Sequence, residues 1–328
     1  MPQITYLKAI TLTLTKAMRA DPRVIVLGED VREGGPFGAT QGMAAEFGES
    51  RIIDTPISEG TICGVAIGAA QAGFRPIVEI MFIDFITLAL DQLVNQAAKA
   101  HYMSGGQLRV PLVLRTQGGA GQRAAAQHSQ SLESWLTHIP GLKVVMPSTA
   151  QDAAGLLETA IADPNPVVFV ENKTLYTKRF EAPQNLPAIP FGQALVRRPG
   201  KHLTIVATSR MVEEALKAAD RLAEDGFEAE VIDPRTLVPF DLQTIVTSLA
   251  HTHRLVVAHE AVTHGGVGAE IVSQVQSAAF DQLDAPIERV GAPFTPVPFS
   301  SSLEDAYLPG SDAIYAAARR TLGYELGG

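Results

Sequence analysis

Side chains suited to moving protons stand in two segments. In Asp54-Thr55-Pro56-Ile57-Ser58-Glu59-Gly60 a glutamate follows a strand and a Thr-Pro-Ile turn. In 118–130, which ends Ala126-Gln127-His128-Ser129-Gln130, a histidine lies in a stretch too rich in Gly and Ala for a strand and too irregular for a helix. A carboxyl in a dry pocket has its pKa raised and can hold or release a proton. An imidazole, with its ordinary pKa near ~6.5, exchanges protons at neutral pH. Each residue also has a plainer reading: Glu59 as a favourable acid in the first turn of a helix capped by Ser58, and His128 as a solvated loop residue. Glu29, at the end of a strand, reads as an exposed carboxylate or as a further acid on the same sheet edge. Phe85, in Met81-Phe82-Ile83-Asp84-Phe85 just after a strand, reads by pattern as ordinary core. Ala160-Ile161-Ala162-Asp163-Pro164-Asn165-Pro166 stops a helix, and carbonyls at such an end carry partial negative charge that suits a cation.

The elements that must position these residues follow from hydrophobic period. Apolar β-branched runs at 24–27, 51–54, 76–80, 111–115, 143–146 and 167–171 alternate with small-residue helical runs, the pattern of a mostly parallel sheet covered on both faces. Glu59 then lies at the carboxyl edge of that sheet, where open α/β sheets bind ligands. A helix over 60–72 contains Gly60, Gly64 and Gly68, each costing up to ~1 kcal/mol relative to Ala, so close packing against a neighbour must offset them. Phe85 begins a long helix. Pro183, Pro187 and Pro190 mark a linker. Strands at 203–207, 227–233, 254–259 and 286–290 follow, with helices from Met211, Asp241, Gly268 and Ser311, and Gly226 sits where a C-terminal cap belongs. The expected fold class is α/β in two domains, 1–180 and 194–328, joined by a linker over 181–193.

Bulk properties narrow the function. Twenty-six basic against 35 acidic residues give −9, which argues against a broad nucleic-acid or anionic-membrane surface. Cys63 is the single cysteine, so clustered Cys/His metal spacing is absent and a reducing, cytoplasmic compartment is permitted. No apolar run reaches the ~18 residues of a membrane helix. Two glycine-rich stretches fail as nucleotide motifs: Gly266-Val267-Gly268-Ala269-Glu270-Ile271 lacks the last small residue of the dinucleotide fingerprint, and Gly118-Gly119-Ala120-Gly121 lacks a Gly-Lys-Ser/Thr ending.

The Glu59 and His128 segments, with Val26-Leu27-Gly28-Glu29-Asp30-Val31, Asp91-Gln92-Leu93-Val94-Asn95-Gln96-Ala97-Ala98-Lys99, Pro140-Gly141-Leu142-Lys143-Val144-Val145 and Gly265-Gly266-Val267-Gly268-Ala269-Glu270, resemble, end to end, the β subunit of the E1 component of 2-oxo acid dehydrogenase complexes. That transketolase-like family includes pyruvate, branched-chain and acetoin dehydrogenases. The resemblance implies a transketolase-like pyrimidine-binding domain followed by a transketolase C-terminal-like domain. It implies thiamine diphosphate as cofactor, with Glu59 hydrogen-bonding the aminopyrimidine ring, Ile57 and Phe85 contacting that ring, and His128 taking part in proton transfer when the acyl group passes to lipoamide. Glu29 would belong to a carboxylate relay between active sites. Leu112, Ala160, Ile161, Asp163 and Asn165 would hold a structural potassium ion. Gly60 departs from the family, many members of which carry Ala, Ser or Met there, and glycine at that position would loosen the helix start behind Glu59.

The chain contains no Gly-Asp-Gly and no asparagine after Asn185, the oxygen ligands that in related enzymes bridge magnesium to the diphosphate. The resemblance therefore implies an α subunit that holds Mg2+ and the diphosphate in an α2β2 heterotetramer, and a lipoyl-bearing E2 acyltransferase as acceptor. The reaction would be oxidative decarboxylation of a 2-oxo acid, or cleavage of acetoin, with acyl transfer to the lipoyl group, and Met81–Phe85 and 118–130 are closest to the pyruvate/acetoin branch. Alternatives are a non-catalytic subunit that docks E1 onto its core, and a self-sufficient homodimeric transketolase-like enzyme.

Overall fold

A computed structural model describes residues 3–181 and 186–323. The chain divides into two compact units, Met1–Gly118 with Trp135–Phe191 and Gly119–Ser134 with Gly192–Gly328. The segment 119–134 groups by its contacts with the second unit. Of the expected linker, 182–185 lie outside the described residues. Ile189 belongs to the first unit's core, and its N–H donates to the Gly155 carbonyl at 3.0 Å. A Cβ at Gly155 would stand 2.6 Å from Ile189 and from the Pro187 carbonyl, so only glycine admits this segment against the helix Ala150–Ala162.

The first unit contains β1 (Gln3–Thr5), β2 (Val24–Gly28), β3 (Ile52–Asp54), β4 (Arg75–Ile80), β5 (Val113–Gly118), β6 (Lys143–Val145), β7 (Val167–Asn172) and β8 (Arg179–Glu181). Strands in the order β6-β7-β5-β4-β2-β3 are all parallel, while β1 and β8 form a separate antiparallel pair. The β strands expected from the sequence are found within one to three residues at each end. No element is expected over 3–20 from the sequence. The segment nonetheless contains a helix, Tyr6–Ala20, which buries Tyr6, Ile10, Leu14 and Met18 at four-residue spacing. Thr11, Thr13 and Thr15 donate to carbonyls four residues earlier, so the hydroxyls join the helix without competing with it.

Three charged residues lie fully buried across the middle strands. Arg115 on β5 donates from Nε and Nη2 to Glu171 on β7 at 2.7 and 2.9 Å, and from Nη1 to Glu79 on β4 at 2.6 Å. Tyr176 also donates to Glu171. One cation faces two carboxyls, and burial, ahead of the opposing pull of Arg115, holds Glu79 above the usual carboxylate range. Removing one partner of such a buried pair costs about 3–5 kcal/mol.

The second unit contains β9 (Leu195–Arg198), β10 (Leu203–Ala207), β11 (Ala229–Asp233), β12 (Thr236–Val238), β13 (Leu255–Val262) and β14 (Glu288–Ala292). Its sheet runs β14-β13-β10-β11-β9, parallel except for β9. The helix Met211–Glu224 buries Met211, Val212, Ala215, Ala219 and Leu222, and Gly226 at φ 87° lets Phe227 N–H return to the Leu222 carbonyl at 2.8 Å, as expected of a C-terminal cap. On β13 the buried His259 ring is pushed down to about 4 by burial and stays neutral. Gly266, Gly268 and Gly291 close around it, and a Cβ at any of the three would stand within 2.9 Å of the ring. The glycines that imitate a nucleotide motif are therefore spaces for an imidazole. Among the described residues no helix is long and apolar enough to cross a membrane, and no cluster of three His, Cys, Asp or Glu side chains could hold a metal.

Glu133 is also buried in the second unit, and burial, reinforced by the Glu260 charge, pushes it from 4.5 up to about 7. A raised carboxyl pKa means the folded state binds the extra proton, so stability falls as pH climbs from 4.5 through about 7 and is flat above. That loss is on the order of 3 kcal/mol. Glu133→Gln, neutral at every pH, should remove it: the stability difference between variant and wild type, from urea unfolding at pH 4.5 to 8, should grow in the variant's favour. Parallel curves for the two proteins would exclude the assignment.

Candidate active site

The first unit's parallel strands deliver the expected residues to one edge. Gly28 ends β2, between Asp54 of β3 and Glu79 of β4. A Cβ there would stand 2.7 Å from the Glu79 carbonyl, so glycine is required where the chain turns out of the sheet toward Glu29. Beyond β3, Thr55 N–H donates to the Gly28 carbonyl at 3.1 Å, and Arg32 N–H to Asp54 Oδ1 at 2.8 Å. Thr55-Pro56-Ile57-Ser58 then leads into the helix Glu59–Gln71.

Glu59 is the first residue of that helix and is buried, at 7 % exposure. The Ser58 side chain does not cap the helix, contrary to the plainer reading, and its hydroxyl meets Thr61 Oγ1 at 2.8 Å. Half-buried Glu29 is raised above the usual carboxylate range by burial first, then by the negative charges of Glu59 and Asp30. Glu29 and Glu59 therefore share one electrostatic environment. One turn along the helix, the Cys63 thiol is pushed up to about 12 by burial and by Glu59, which leaves it inert. Ile57 is 81 % exposed and presents bare apolar surface beside the acid.

Phe85 follows β4, but the expected long helix is broken into a 3-10 segment Ile83–Ala89, a π segment Gln92–Ala97 and an α segment Ala98–Met103. In a 3-10 turn residues i and i+3 eclipse, which brings Phe82 and Phe85 edge to face at 5.7 Å. Phe82 in turn meets Phe37 at 5.6 Å and Phe37 meets Tyr176 at 5.6 Å, so the half-buried Phe85 ring is wedged by a row of aromatics rooted in the core.

His128 lies in the second unit, half-buried in the loop between β5 and the short helix Glu133–Thr137. That loop is held in unusual backbone shapes: Arg123 and Ala125 adopt φ 59° and 61°, a region costing an L-residue about 1–2 kcal/mol. Carboxylates hold it there. Ala120 N–H donates to Glu260 Oε1 at 2.6 Å, Gly121 N–H to Glu304 Oε1 at 2.8 Å, and Arg123 N–H and Nη1 to Glu304 Oε2 at 3.1 and 2.5 Å. Ala126, Gln127 and Gln130, on either side of His128, line a cavity of about 500 Å³ with Val262, Phe294 and Tyr307 among its other walls. Sequence reasoning missed Glu260 and Glu304; Glu260 is signalled only as a carboxylate inside an apolar strand, and Glu304 by nothing local.

Of the five residues expected at a cation, Ala160, Ile161, Asp163 and Asn165 lie on one helix end and the turn after it, and Leu112 pairs with Val167, which follows that turn. The Ala160 carbonyl accepts Asp163 N–H at 3.2 Å, and the Leu112 carbonyl accepts Val167 N–H at 2.9 Å. Ile161 O accepts Arg75 Nη1 at 2.7 Å, while the Asp163 carboxylate takes Asn165 N–H at 2.8 Å and the Lys143 ammonium. Arg75 and Lys143 thus already bring positive charge to the helix end, and each carbonyl keeps a second lone pair for an ion.

Residues 2–178 match the family described as transketolase, pyrimidine binding domain, and residues 192–314 the one described as transketolase, C-terminal domain. The chain is 49% identical to the acetoin:2,6-dichlorophenolindophenol oxidoreductase subunit beta of Cupriavidus necator, with 96% of each chain covered. It is 48% identical to the protein of that name in Bacillus subtilis, with 96% of each covered. To the pyruvate dehydrogenase E1 component subunit beta of Rickettsia felis it is 47% identical over 99% of this chain and 100% of that one. A solved structure named as a split-gene transketolase, inactive beta4 tetramer, superposes with a TM-score of 0.80 at 23% identity, covering 97% of this chain and 98% of the other, a likeness of fold. With both transketolase domains in order and near-half identity along almost its whole length, this chain belongs to the transketolase-like family of E1 β subunits of 2-oxo acid dehydrogenases.

Proposed function

We propose that this chain is the β half of a thiamine diphosphate-dependent E1 enzyme that decarboxylates a pyruvate-like 2-oxo acid or cleaves acetoin and passes the acyl group to lipoamide on an E2 acyltransferase. The observation that carries the reading is a buried glutamate, Glu59, at the carboxyl edge of a parallel sheet, with exposed Ile57 and the wedged Phe85 ring on the same edge. Among the described residues no hydrogen bond or ion pair engages the Glu59 carboxyl, so it is free to take an outside donor. The donor set fits an aminopyrimidine: one carboxyl for a ring nitrogen, one aliphatic and one aromatic surface for the ring faces. Bound there, the cofactor supplies a nucleophilic carbon and an electron sink for the bond that breaks. Glu59 holds the proton at the pyrimidine ring nitrogen, Phe85 and Ile57 orient the ring and exclude water, and Glu29 keeps a second exchangeable proton beside Glu59. His128 moves a proton at the acyl-transfer step. Magnesium and the diphosphate belong to an α subunit in an α2β2 assembly, since no Gly-Asp-Gly occurs here. Potassium, held by Leu112, Ala160, Ile161, Asp163 and Asn165, would reinforce a helix end that Arg75 and Lys143 already neutralise in part.

In the reconstituted complex Glu59→Gln should fold and assemble yet lose at least ~100-fold in exchange of the cofactor's C2 proton, the scale of a lost general acid–base group. Wild-type exchange would remove Glu59 from the chemistry. The purified single chain, titrated calorimetrically with thiamine diphosphate and magnesium, should bind neither appreciably, and the α subunit should confer binding and decarboxylation together; micromolar binding by the lone chain would overturn the half-site reading. Replacing potassium by tetramethylammonium should lower the melting temperature by a few degrees, about 1 kcal/mol. No change would leave Asp163 and Asn165 as a plain turn.

A further inference from the structure

The loop that bears His128 has two independent marks of being held in place. Its backbone passes through left-handed φ at Gly119, Gly121, Arg123 and Ala125, two of them residues with a Cβ. A flexible loop would relax out of such shapes, so something must over-determine them. The groups that do so are the carboxylates of Glu304, which is 0 % exposed, and Glu260, at 8 %. Glu304 accepts from Gly121 N–H, Arg123 N–H and Arg123 Nη1, and Glu260 from Ala120 N–H. Glu260 is itself held by Arg210 Nε at 2.5 Å, and Arg210 by the Pro309 carbonyl at 3.0 Å. Charge-assisted bonds to a buried carboxylate are the strong, directional kind. The same loop walls the 500 Å³ cavity beside His128.

We infer that Glu304, seconded by Glu260, is a positioning residue: it fixes the strained 119–125 segment, and through it His128 and the adjoining cavity wall, in working geometry before any substrate arrives. The inference rests on the reading of His128 as the proton-transfer group of acyl transfer. Neither carboxylate needs to touch the reacting atoms, because a displacement of about 1 Å in a loop that carries a reacting group is enough to cost up to ~100-fold in rate. Asp305, which among the described residues takes the exposed Nη2 of Arg123 and no loop N–H, serves as an internal control.

The test uses the reconstituted complex with Glu304→Gln, Asp305→Asn and His128→Gln, reading amide hydrogen exchange of 119–128, decarboxylation with an artificial electron acceptor, and acylation of a lipoyl domain. Gln has one acceptor oxygen for three donors, so Glu304→Gln should speed loop exchange ~10-fold and slow lipoyl acylation ~10-fold, with decarboxylation within ~2-fold of wild type. Asp305→Asn should leave all three unchanged. Unchanged loop exchange in Glu304→Gln, or equal loss in both half-reactions, would overturn the inference. Should Glu304→Gln fail to assemble, Glu260→Gln carries the same expectation at Ala120, and a wild-type profile there is equally decisive. If His128→Gln acylates normally, the reading of His128 fails, while the exchange data still decide whether Glu304 holds the loop.

Discussion

Parallel pairing is the constraint on which the rest of the first unit depends. Strands that hydrogen-bond in parallel must all finish on the same edge, and the crossovers between them must return over the faces. Glu29 leaves β2, Ile57 and Glu59 follow β3, and Phe85 follows β4, so residues up to 56 positions apart in sequence are delivered to one side without any bond between them. A one-residue slip would reverse each side chain's face. Register therefore specifies the site as strictly as it specifies the core.

That register is itself held by unusual means. The sheet's centre contains the Arg115–Glu79–Glu171 group rather than only aliphatic side chains. A buried ion pair is weak evidence for net stability, but it is unforgiving of misalignment, because any slip strands a charge in apolar surroundings. Tyr176 connects the same group to the aromatic row that ends at Phe85. Strand alignment and the placing of a candidate cofactor-contacting ring thus draw on one set of side chains.

The second unit solves a different problem, the shaping of an irregular segment. A loop with four left-handed residues between Gly119 and Ala125 cannot be specified by hydrophobic pattern, since it has none. Buried carboxylates supply directional acceptors for its N–H groups instead, and the glycines near β13 make room for a neutral imidazole at His259. In both places polar groups are buried, and small residues decide whether the backbone can reach them.

Much of this was legible in the sequence. β-branched runs, helix-period stripes, and glycines and prolines at the ends of elements act over a few residues, so they disclosed both α/β halves, the strand edge at Glu59 and the cap at Gly226. The order and spacing of the motifs disclosed the family. Local pattern was silent on the helix Tyr6–Ala20, and it misled after Phe85, where one long helix was expected and 3-10, π and α segments follow one another. Tertiary structure alone decided which carboxyl meets which donor. Ala120 finds Glu260 across 140 residues and Gly121 finds Glu304 across 183; no periodicity links such positions, because a hydrogen bond needs its partners together in space and is indifferent to the length of chain between them.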